Sequence, residues 1–229
     1  MSTPSINRIA PVASLRGEVE RALSAAIVSG ELEPGTLVSV PVLAAQFNVS
    51  ATPVREAMLD LEKRGFVESV RNKGFRITHV REKDLREIVQ VRRWLEVPAV
   101  KQLASQFPAD QLDAFRARAD RIMSAAADGR FADYLAADTD FHLELLRLSG
   151  NDRLVSLVGE LRSQTRMVGL ADLRDTVELE KSAAEHHLLL DLLTAGDEAA
   201  TEDLMHRHIG HVVGWWAGRD EHTDEALPR

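Results

Sequence analysis

The stretch that decides the fold runs from Gln46 to Phe66 and reads Q-F-N-V-S-A-T-P-V-R-E-A-M-L-D-L-E-K-R-G-F. Ser50 is expected to cap the N-terminus of a helix, and Pro53 falls in the first turn, where a missing N–H costs nothing. Gly65 directly follows two basic residues and is expected to end that helix. One face of the helix is apolar at helical spacing, through Val54, Ala57, Met58 and Leu61. The pattern predicts an amphipathic helix with one packed face and one free face.

A second helix is predicted immediately before this one, and a hairpin immediately after it. Pro41 to Phe47 has a first-turn proline and an apolar stripe, and only Asn48-Val49 separates the two helices, so together they indicate a helix-turn-helix. Val67–Val70 and Phe75–Thr78 are β-prone and are joined by a basic turn that contains glycine. Helix-turn-helix followed by hairpin predicts a winged helix.

These residues carry a resemblance to a known family. Val49-Ser50-x-Thr52-Pro53-Val54-Arg55-Glu56-Ala57, preceded by Ser29-Gly30-Glu31-Leu32-x-Pro34-Gly35, resembles the DNA-binding domain of the GntR family of bacterial transcription regulators. The resemblance implies double-stranded DNA as a partner. Ala51 stands where the family pattern often has Arg, and Val40-Pro41-Val42 opens a helix that is often polar or acidic there. The operator sequence is therefore not transferable from relatives.

The whole chain is predicted to be mainly α, with an N-terminal winged helix-turn-helix domain followed by an all-α helical bundle. We expect a flexible N-terminus over residues 1–13, the winged helix over 14–78, and a short, semi-rigid linker over 79–83. The bundle is expected over 84–218 and a flexible C-terminus over 219–229. In the first domain a helix is expected from Ser14 to Gly30 and a short strand from Leu37 to Ser39. Bundle helices are expected at about Asp84–Phe107 with a kink at Pro98, Pro108–Ala127, Phe131–Ser149, Asp152–Leu170, Thr176–Ala195 and Asp197–Trp216.

Composition excludes several classes of protein. Of the 229 residues 45% are hydrophobic and 28% charged, and we find neither a bilayer-spanning apolar run nor a cleavable leader, so a cytoplasmic protein is expected. The absence of cysteine excludes disulfides, thiolate nucleophiles and cysteine-bound metals. The net charge of −8 is unevenly distributed. Residues 1–80 hold nine basic and eight acidic residues, whereas residues 81–229 hold nineteen and twenty-eight, so the first part can approach phosphate.

Histidines are concentrated in the second part of the chain. Asp138 and His142 are four residues apart in one predicted helix, and His186 and His208 belong to two others. One carboxylate and three imidazoles from three helices can converge in a bundle core, where they suit zinc, nickel, iron or copper, with manganese possible. The alternative is that these are ordinary core or surface histidines, because their spacing is common in helices.

A second resemblance covers the bundle. The motifs that carry it are Asp138-x-x-Phe141-His142, Ser149-Gly150-Asn151, Glu185-His186, and Gly196-Asp197 with His208 beyond. They are similar to the helical effector-binding (FCD) domain of the FadR subfamily. The resemblance implies a divalent metal ion held by Asp138, His142, His186 and His208. Zinc is the expected metal, with nickel, manganese and iron as alternatives. His187, His206 and His211 match no motif position and are expected in solvent or behind the ligands.

The resemblance also implies an effector, a small carboxylic acid often bound through the metal. Arg92 matches a typical arginine of this domain and can clamp the same carboxylate. The alternative for Arg92 is an ion pair with Glu96, one helical turn away.

The predicted DNA contacts are Ser50, Thr52, Arg55, Arg71, Lys73 and Gly74. Thr52 and Arg55 are expected to reach base edges, with Arg55 able to contact guanine, while Lys73 and Gly74 approach the minor groove or phosphates from the wing tip. The alternative for Arg55 is a salt bridge to Glu56 or Glu62.

Together these features predict a homodimeric transcription regulator, not an enzyme, that binds a palindromic operator. Repression is the expected mode of regulation. Two alternatives remain. One is a metal-free regulator that takes an acyl chain. The other is a metalloenzyme, although no catalytic base lies at a motif position beside the predicted site.

Overall fold

The computed structural model of the chain describes residues 15–28, 30–79, 82–164 and 177–213. It divides into two compact units, with the boundary between Thr78 and His79. The predicted flexible ends, 1–13 and 219–229, lie outside the described residues, as do residues 80 and 81 of the predicted linker. Helices among the described residues are all too short or too polar to cross a bilayer.

The first unit is a winged helix-turn-helix, as predicted. Its helices are α1 (Leu15–Val28), α2 (Val40–Phe47) and α3 (Ala51–Lys63), and its strands are β1 (Leu37–Val38), β2 (Val67–Val70) and β3 (Gly74–Ile77). The strands form one antiparallel sheet in the order β1-β3-β2, in which Val38 pairs with Phe75 and Val67 with Ile77. Strands β2 and β3 form the wing. Strand β1 pairs with β3 and lies directly before α2, so it connects the wing to the start of that helix.

Helix α3 is organised by the apolar stripe seen in the sequence. Its four stripe residues, Val54, Ala57, Met58 and Leu61, are each at most 1% exposed. Burying four such side chains stabilises the unit by several kcal/mol, at about 25 cal/mol per Å² of apolar surface. Asn48 adopts the left-handed conformation (φ 53°) that turns the chain between α2 and α3. Gly65 has φ 73° and ends α3 as expected.

Two details of this unit differ from the sequence prediction. Ser50 holds the N-cap position in an extended conformation, but its hydroxyl makes no capping hydrogen bond to α3. Gly74 begins β3 and is not part of the wing tip, which consists of Arg71, Asn72 and Lys73. A Cβ atom at Gly74 would lie 2.2 Å from the carbonyl oxygen of Val38, so the close approach of β1 requires glycine there.

The second unit contains only helices and one short 3-10 turn among its described residues. The helices are α4 (Glu82–Leu103), α5 (Leu112–Ala127), α6 (Phe131–Arg147), α7 (Asp152–Gln164), α8 (Val177–Ala195) and α9 (Glu198–Gly210). Helix α5 packs on α6 and α8, and α4 packs on α7 and α9. The central helix α6 buries Tyr134, Phe141, Leu145 and Leu146 completely. The buried faces of α4, α6, α7, α8 and α9 therefore share one core.

Several helix ends differ from the predicted ones. Helix α4 begins at Glu82, inside the predicted linker, and ends at Leu103, before the expected end at Phe107. It continues past Pro98, whose exposed ring lies on the outer side. A 3-10 turn at Ala109–Gln111 precedes α5. Helix α9 ends at Gly210, before the predicted end at Trp216. The predicted helix ends at Leu170 and Thr176 lie outside the described residues.

Candidate metal centre and nucleic-acid interface

The four predicted metal ligands lie together in the core of the second unit. Asp138 and His142 are one turn apart on α6, His186 comes from α8, and His208 comes from α9. Each of the four residues is at most 6% exposed. One ligand atom from each lies within 4.8 Å of the other three.

The distances between the ligand atoms are those of a coordination shell. The Nε2 atom of His142 lies 3.0 Å from Nε2 of His208 and 3.2 Å from Nε2 of His186. Asp138 Oδ1 lies 3.2 Å from His186 Nε2, and it is 3.7 Å and 3.9 Å from the Nε2 atoms of His142 and His208. Two ligand atoms about 2.1 Å from one ion are about 3.0 Å apart at a right angle and about 3.4 Å at a tetrahedral angle. The observed spacing fits one metal ion.

Hydrogen bonds on the far side of two imidazoles determine which nitrogen carries the proton. Nδ1 of His186 lies 3.0 Å from the carbonyl oxygen of Ala183, and Nδ1 of His208 lies 2.7 Å from Glu185 Oε2. Both acceptors require a donor, so each Nδ1 is protonated, and the neutral form of each imidazole then presents a lone pair on Nε2 to the centre. In the neutral form of the three imidazoles, His142 is thus the one residue of the four whose atom at the centre can carry a proton, because no hydrogen bond holds its proton on Nδ1. A cation satisfies this donor set.

Burial favours the neutral form of His142 and His208, which is the form that metal binding needs. Burial lowers the pKa of His208 to about 4 and holds the pKa of His142 well below its ordinary value. Burial opposes ionisation of Asp138, but the guanidinium of Arg162 beside it helps to hold the pKa of this carboxyl well below its usual range. At neutral pH Asp138 is therefore ionised, and His142 and His208 are neutral.

A buried chain of ion pairs connects this site to α4. Nη1 of Arg162 donates to Asp138 Oδ2 at 2.9 Å, and Nη2 of the same residue donates to Glu96 Oε2 at 2.6 Å. Glu96 also accepts from Nε of Arg92 at 2.7 Å. Arg162 thereby holds one oxygen of Asp138 and leaves Oδ1 directed at the imidazoles. The sequence prediction missed Arg162 and the role of Glu96.

The missed residues did leave a signal in the sequence. Arg162 follows Val155 and Val158 at helical spacing, so it lies on the buried stripe of α7. Glu96 lies on the buried stripe of α4 between Val89 and Val100. A charged residue on an apolar stripe indicates a buried partner, because an isolated buried charge is very costly.

Arg92 forms the ion pair with Glu96 that the sequence offered as the alternative to effector binding. The contact uses Nε alone. Within the part of the chain that the structure describes, no ion pair engages its two terminal nitrogens. The ion pair and an effector contact are therefore compatible.

Glu185 and His211 adjoin the site on the side of α9. Glu185 Oε2 accepts from Nδ1 of His208 at 2.7 Å and from Nε2 of His211 at 2.9 Å. His211 is buried, and its ring centroid lies 5.7 Å from that of His208. Burial raises the pKa of Glu185, but the two imidazole hydrogen bonds outweigh it and lower this pKa to about 2. His187 instead contacts Asp120 and Arg116 near the surface.

The predicted DNA contacts lie on exposed parts of the first unit. Ser50, Thr52 and Arg55 are exposed at the N-terminal end of α3, and Arg71 and Lys73 are exposed at the wing tip. Arg55 forms no ion pair with any described residue, and Glu62, one of its two alternative partners, accepts from the backbone N–H of Ser69 at 2.7 Å. This last contact ties the wing to α3.

Comparison with known proteins matches both units. The model of the gntR family of bacterial regulatory proteins matches residues 15–77, and the FCD domain model matches residues 87–211. A probable D-xylose utilization operon transcriptional repressor of Paenarthrobacter nicotinovorans is 29% identical over 201 residues, covering 88% of each chain. The Nta operon transcriptional regulator of Aminobacter aminovorans is 32% identical over 193 residues, which cover 81% of this chain and 89% of the relative.

The fold has solved counterparts. The structure of McbR/YncC of E. coli matches with a TM-score of 0.75 and 24% identity, over 90% of this chain and 99% of that one. The family and the named relatives are transcription regulators, not enzymes, which agrees with the sequence prediction and disfavours the metalloenzyme alternative. This chain belongs to the GntR family of bacterial regulatory proteins and carries an FCD domain behind its winged helix.

Proposed function

We propose that this regulator is of the FadR-subfamily type and holds a divalent metal ion through Asp138, His142, His186 and His208. The observation that carries the proposal is the convergence of three buried Nε2 atoms and one carboxylate oxygen. In His186 and His208 the hydrogen bond made by Nδ1 leaves Nε2 of the neutral imidazole with a lone pair for the metal. Imidazole with a single carboxylate favours zinc, with nickel, manganese or iron as alternatives. A bound ion with an open position supplies a Lewis acid that attracts a carboxylate.

The proposed effector is a small carboxylic acid. Four protein ligands leave positions open when the ion is six-coordinate, and carboxylate oxygen suits such an ion. The two terminal nitrogens of Arg92 are the guanidinium donors for the same carboxylate, while Nε keeps its bond to Glu96. Arg92 thus both holds α4 in the network and recognises the ligand.

The proposed operator contacts follow from the placement of α3 and the wing. Thr52 and Arg55 reach base edges in the major groove, while Ser50, Arg71 and Lys73 contact phosphates. Gly74 acts through the backbone, since it permits the β1–β3 approach that places the wing tip. A homodimer on a palindromic site doubles these contacts. Repression is the proposed mode, since one relative is itself named a repressor.

Effector response is proposed to start from α4. This helix carries Arg92 and Glu96 and begins five residues after β3 ends at Ile77. A ligand that binds one arrangement of the network better than another shifts the population between them, and the shift equals its differential affinity.

Elemental analysis of purified protein tests the metal centre. We expect one divalent ion per chain in the wild type and little metal in His186→Ala and in His208→Ala. The matched control is His206→Ala, which lies on α9 beside the ligand but outside the cluster, and should keep its metal. Full metal content in either ligand variant would refute the assignment.

Thermal stability with added acids tests the effector. A ligand that binds only the native state raises Tm by mass action. Small carboxylic acids should raise the Tm of the metal-loaded protein and leave that of the chelator-treated protein unchanged. A shift produced by long-chain acyl compounds without metal would favour the alternative of a metal-free acyl sensor.

A further inference from the structure

One carboxylate outside the proposed ligand set makes a specific contact with it. Glu185 directly precedes the ligand His186 on α8, yet its side chain reaches α9. There a single oxygen, Oε2, accepts two imidazole hydrogen bonds, from His208 Nδ1 at 2.7 Å and from His211 Nε2 at 2.9 Å. His211 follows the last residue of α9 in a helical conformation, three residues after His208, so both donors lie on the same side at the end of this helix.

This contact determines how His208 faces the centre. A carboxylate can only accept, so the proton of the neutral imidazole must be on Nδ1. Nε2 is then unprotonated and lies 3.0 Å from His142 Nε2, where the ligand atoms converge. Without Glu185, either nitrogen of His208 can carry the proton, and one of the two tautomers cannot bind a metal.

The other two imidazoles lack an equivalent partner. Nδ1 of His186 donates to a neutral carbonyl, that of Ala183. Nδ1 of His142 has no hydrogen-bond partner among the residues that the structure describes. Within those residues His208 is thus the one ligand with an anion behind it, and a carboxylate in that position strengthens an imidazole as a donor to metal.

We infer that Glu185 is the positioning residue of the metal centre, which fixes the tautomer and orientation of His208, and that His211 holds Glu185 in place. The inference rests on the proposed metal site and adds two residues of this chain to it. It also assigns the buried His211 a purpose: its N–H donates to the same oxygen and prevents the Glu185 side chain from turning away from His208.

Metal titration of Glu185→Gln against wild type tests the inference. Zinc and cobalt(II) affinity, measured by competition with a chelator, should fall about 10- to 100-fold in the variant, the range seen when such a partner is removed. The matched control is Glu180→Gln, an exposed glutamate of the same helix, which removes the same charge and should leave the affinity unchanged. Equal affinity in Glu185→Gln and wild type, or an equal loss in both variants, would overturn the inference.

A second readout separates positioning from general stabilisation. Long-range 1H–15N spectra of the metal-free protein should show His208 as the Nδ1–H tautomer in wild type and as a mixture in Glu185→Gln, because an amide can both accept and donate. An unchanged tautomer would count against the proposed role. His211→Ala provides the same test if the glutamine variant does not fold, with an expected loss of metal affinity of a few-fold; no loss would contradict the part assigned to His211.

The two proposals fail in different ways. If wild-type protein binds neither zinc nor cobalt, the metal centre itself is refuted. If wild type binds metal and Glu185→Gln binds it equally well, only the positioning role is refuted.

Discussion

Asp138 divides its two oxygens between two kinds of partner. Oδ1 lies among three imidazoles, while Oδ2 accepts from Arg162. Arg162 in turn shares Glu96 with Arg92, so two anions and two cations form one network that is almost completely buried. A buried charge is tolerated only with its partner, and the identity of each member therefore matters more than at the surface.

Removal of Arg162 should be costly for this reason. Arg162→Met leaves Asp138 and part of Glu96 without their guanidinium partner, and we expect a loss of about 3–5 kcal/mol in the free energy of unfolding, measured in urea. Arg153→Met, an exposed arginine on the same helix, should cost less than about 0.5 kcal/mol. Comparable values for the two variants would show that the network contributes little.

The neutral histidines predict a pH dependence for the metal-depleted protein. His208 has an ordinary pKa of 6.5 when unfolded and a pKa of about 4 when folded, because burial disfavours its charge. Between these values the unfolded chain binds more protons, so stability should fall as pH drops from 6.5 to about 4, by about 3 kcal/mol from this group. Urea unfolding at several pH values in the presence of chelator measures the fall. His208→Gln should show a shallower one; an identical profile would contradict the assignment.

At the scale of elements, the wing depends on a close backbone approach. Gly74 has φ 118°, and a Cβ atom there would lie 2.2 Å from the Val38 carbonyl oxygen of β1. Gly65, at the end of α3, has φ 73° but nothing within 4 Å of its Cβ position. A side chain at Gly65 would therefore meet backbone strain alone, whereas a side chain at Gly74 would also collide with β1.

This pair gives a matched test. Gly65→Ala should cost only the left-handed backbone penalty, about 1–2 kcal/mol. Gly74→Ala should cost more, since β1 must also move away from β3, and amide hydrogen exchange in β2 and β3 should accelerate. Equal effects of the two substitutions would show that the β1 contact is easily relieved. A weaker affinity for DNA is expected for Gly74→Ala alone, because the wing tip changes position.

At the scale of the whole molecule, charge is separated along the chain. Residues 1–80 carry a net charge of +1, from nine basic and eight acidic residues, and residues 81–229 carry −9, from nineteen and twenty-eight. Attraction to phosphate must therefore come from local groups of the first unit. We propose that the exposed Arg55, Arg71 and Lys73 are among these groups.

Salt dependence of DNA binding distinguishes their roles. Lys73→Ala should weaken binding to all duplexes alike and reduce the slope of log K against log salt by about 1. Arg55→Ala should instead abolish the preference for duplexes selected by the wild type, a loss of about 1–3 kcal/mol of discrimination per base contact. Fluorescence anisotropy with selected and random duplexes measures both, with the exposed Lys63→Ala, on another face of α3, as control. Retained preference in Arg55→Ala would mean that α3 does not read the bases.

The local pattern of residues was sufficient for much of this fold. Apolar spacing in α3 and α6, the turn at Asn48 and the glycine at 65 are properties of neighbouring residues, so they predict helices, turns and a wing without knowledge of the rest. Asp138 and His142 belong to this class, because four residues in a helix place two side chains on one face. The family motifs then named His186 and His208, which local spacing alone did not distinguish from ordinary core histidines.

Only the tertiary structure decided the contacts around these residues. Arg162 meets Glu96 across 66 residues of chain, and Glu185 meets His208 across 23. Gly74 is needed because β1, far away in sequence, lies against it. Helical periodicity states which face of a helix is buried, and it does not state which residue of another helix lies opposite. The sequence alone therefore determined the helices and strands and the ligand motif. Packing between helices decided which carboxylate oxygen and which imidazole nitrogens face the centre, and which nitrogen of His208 carries its proton.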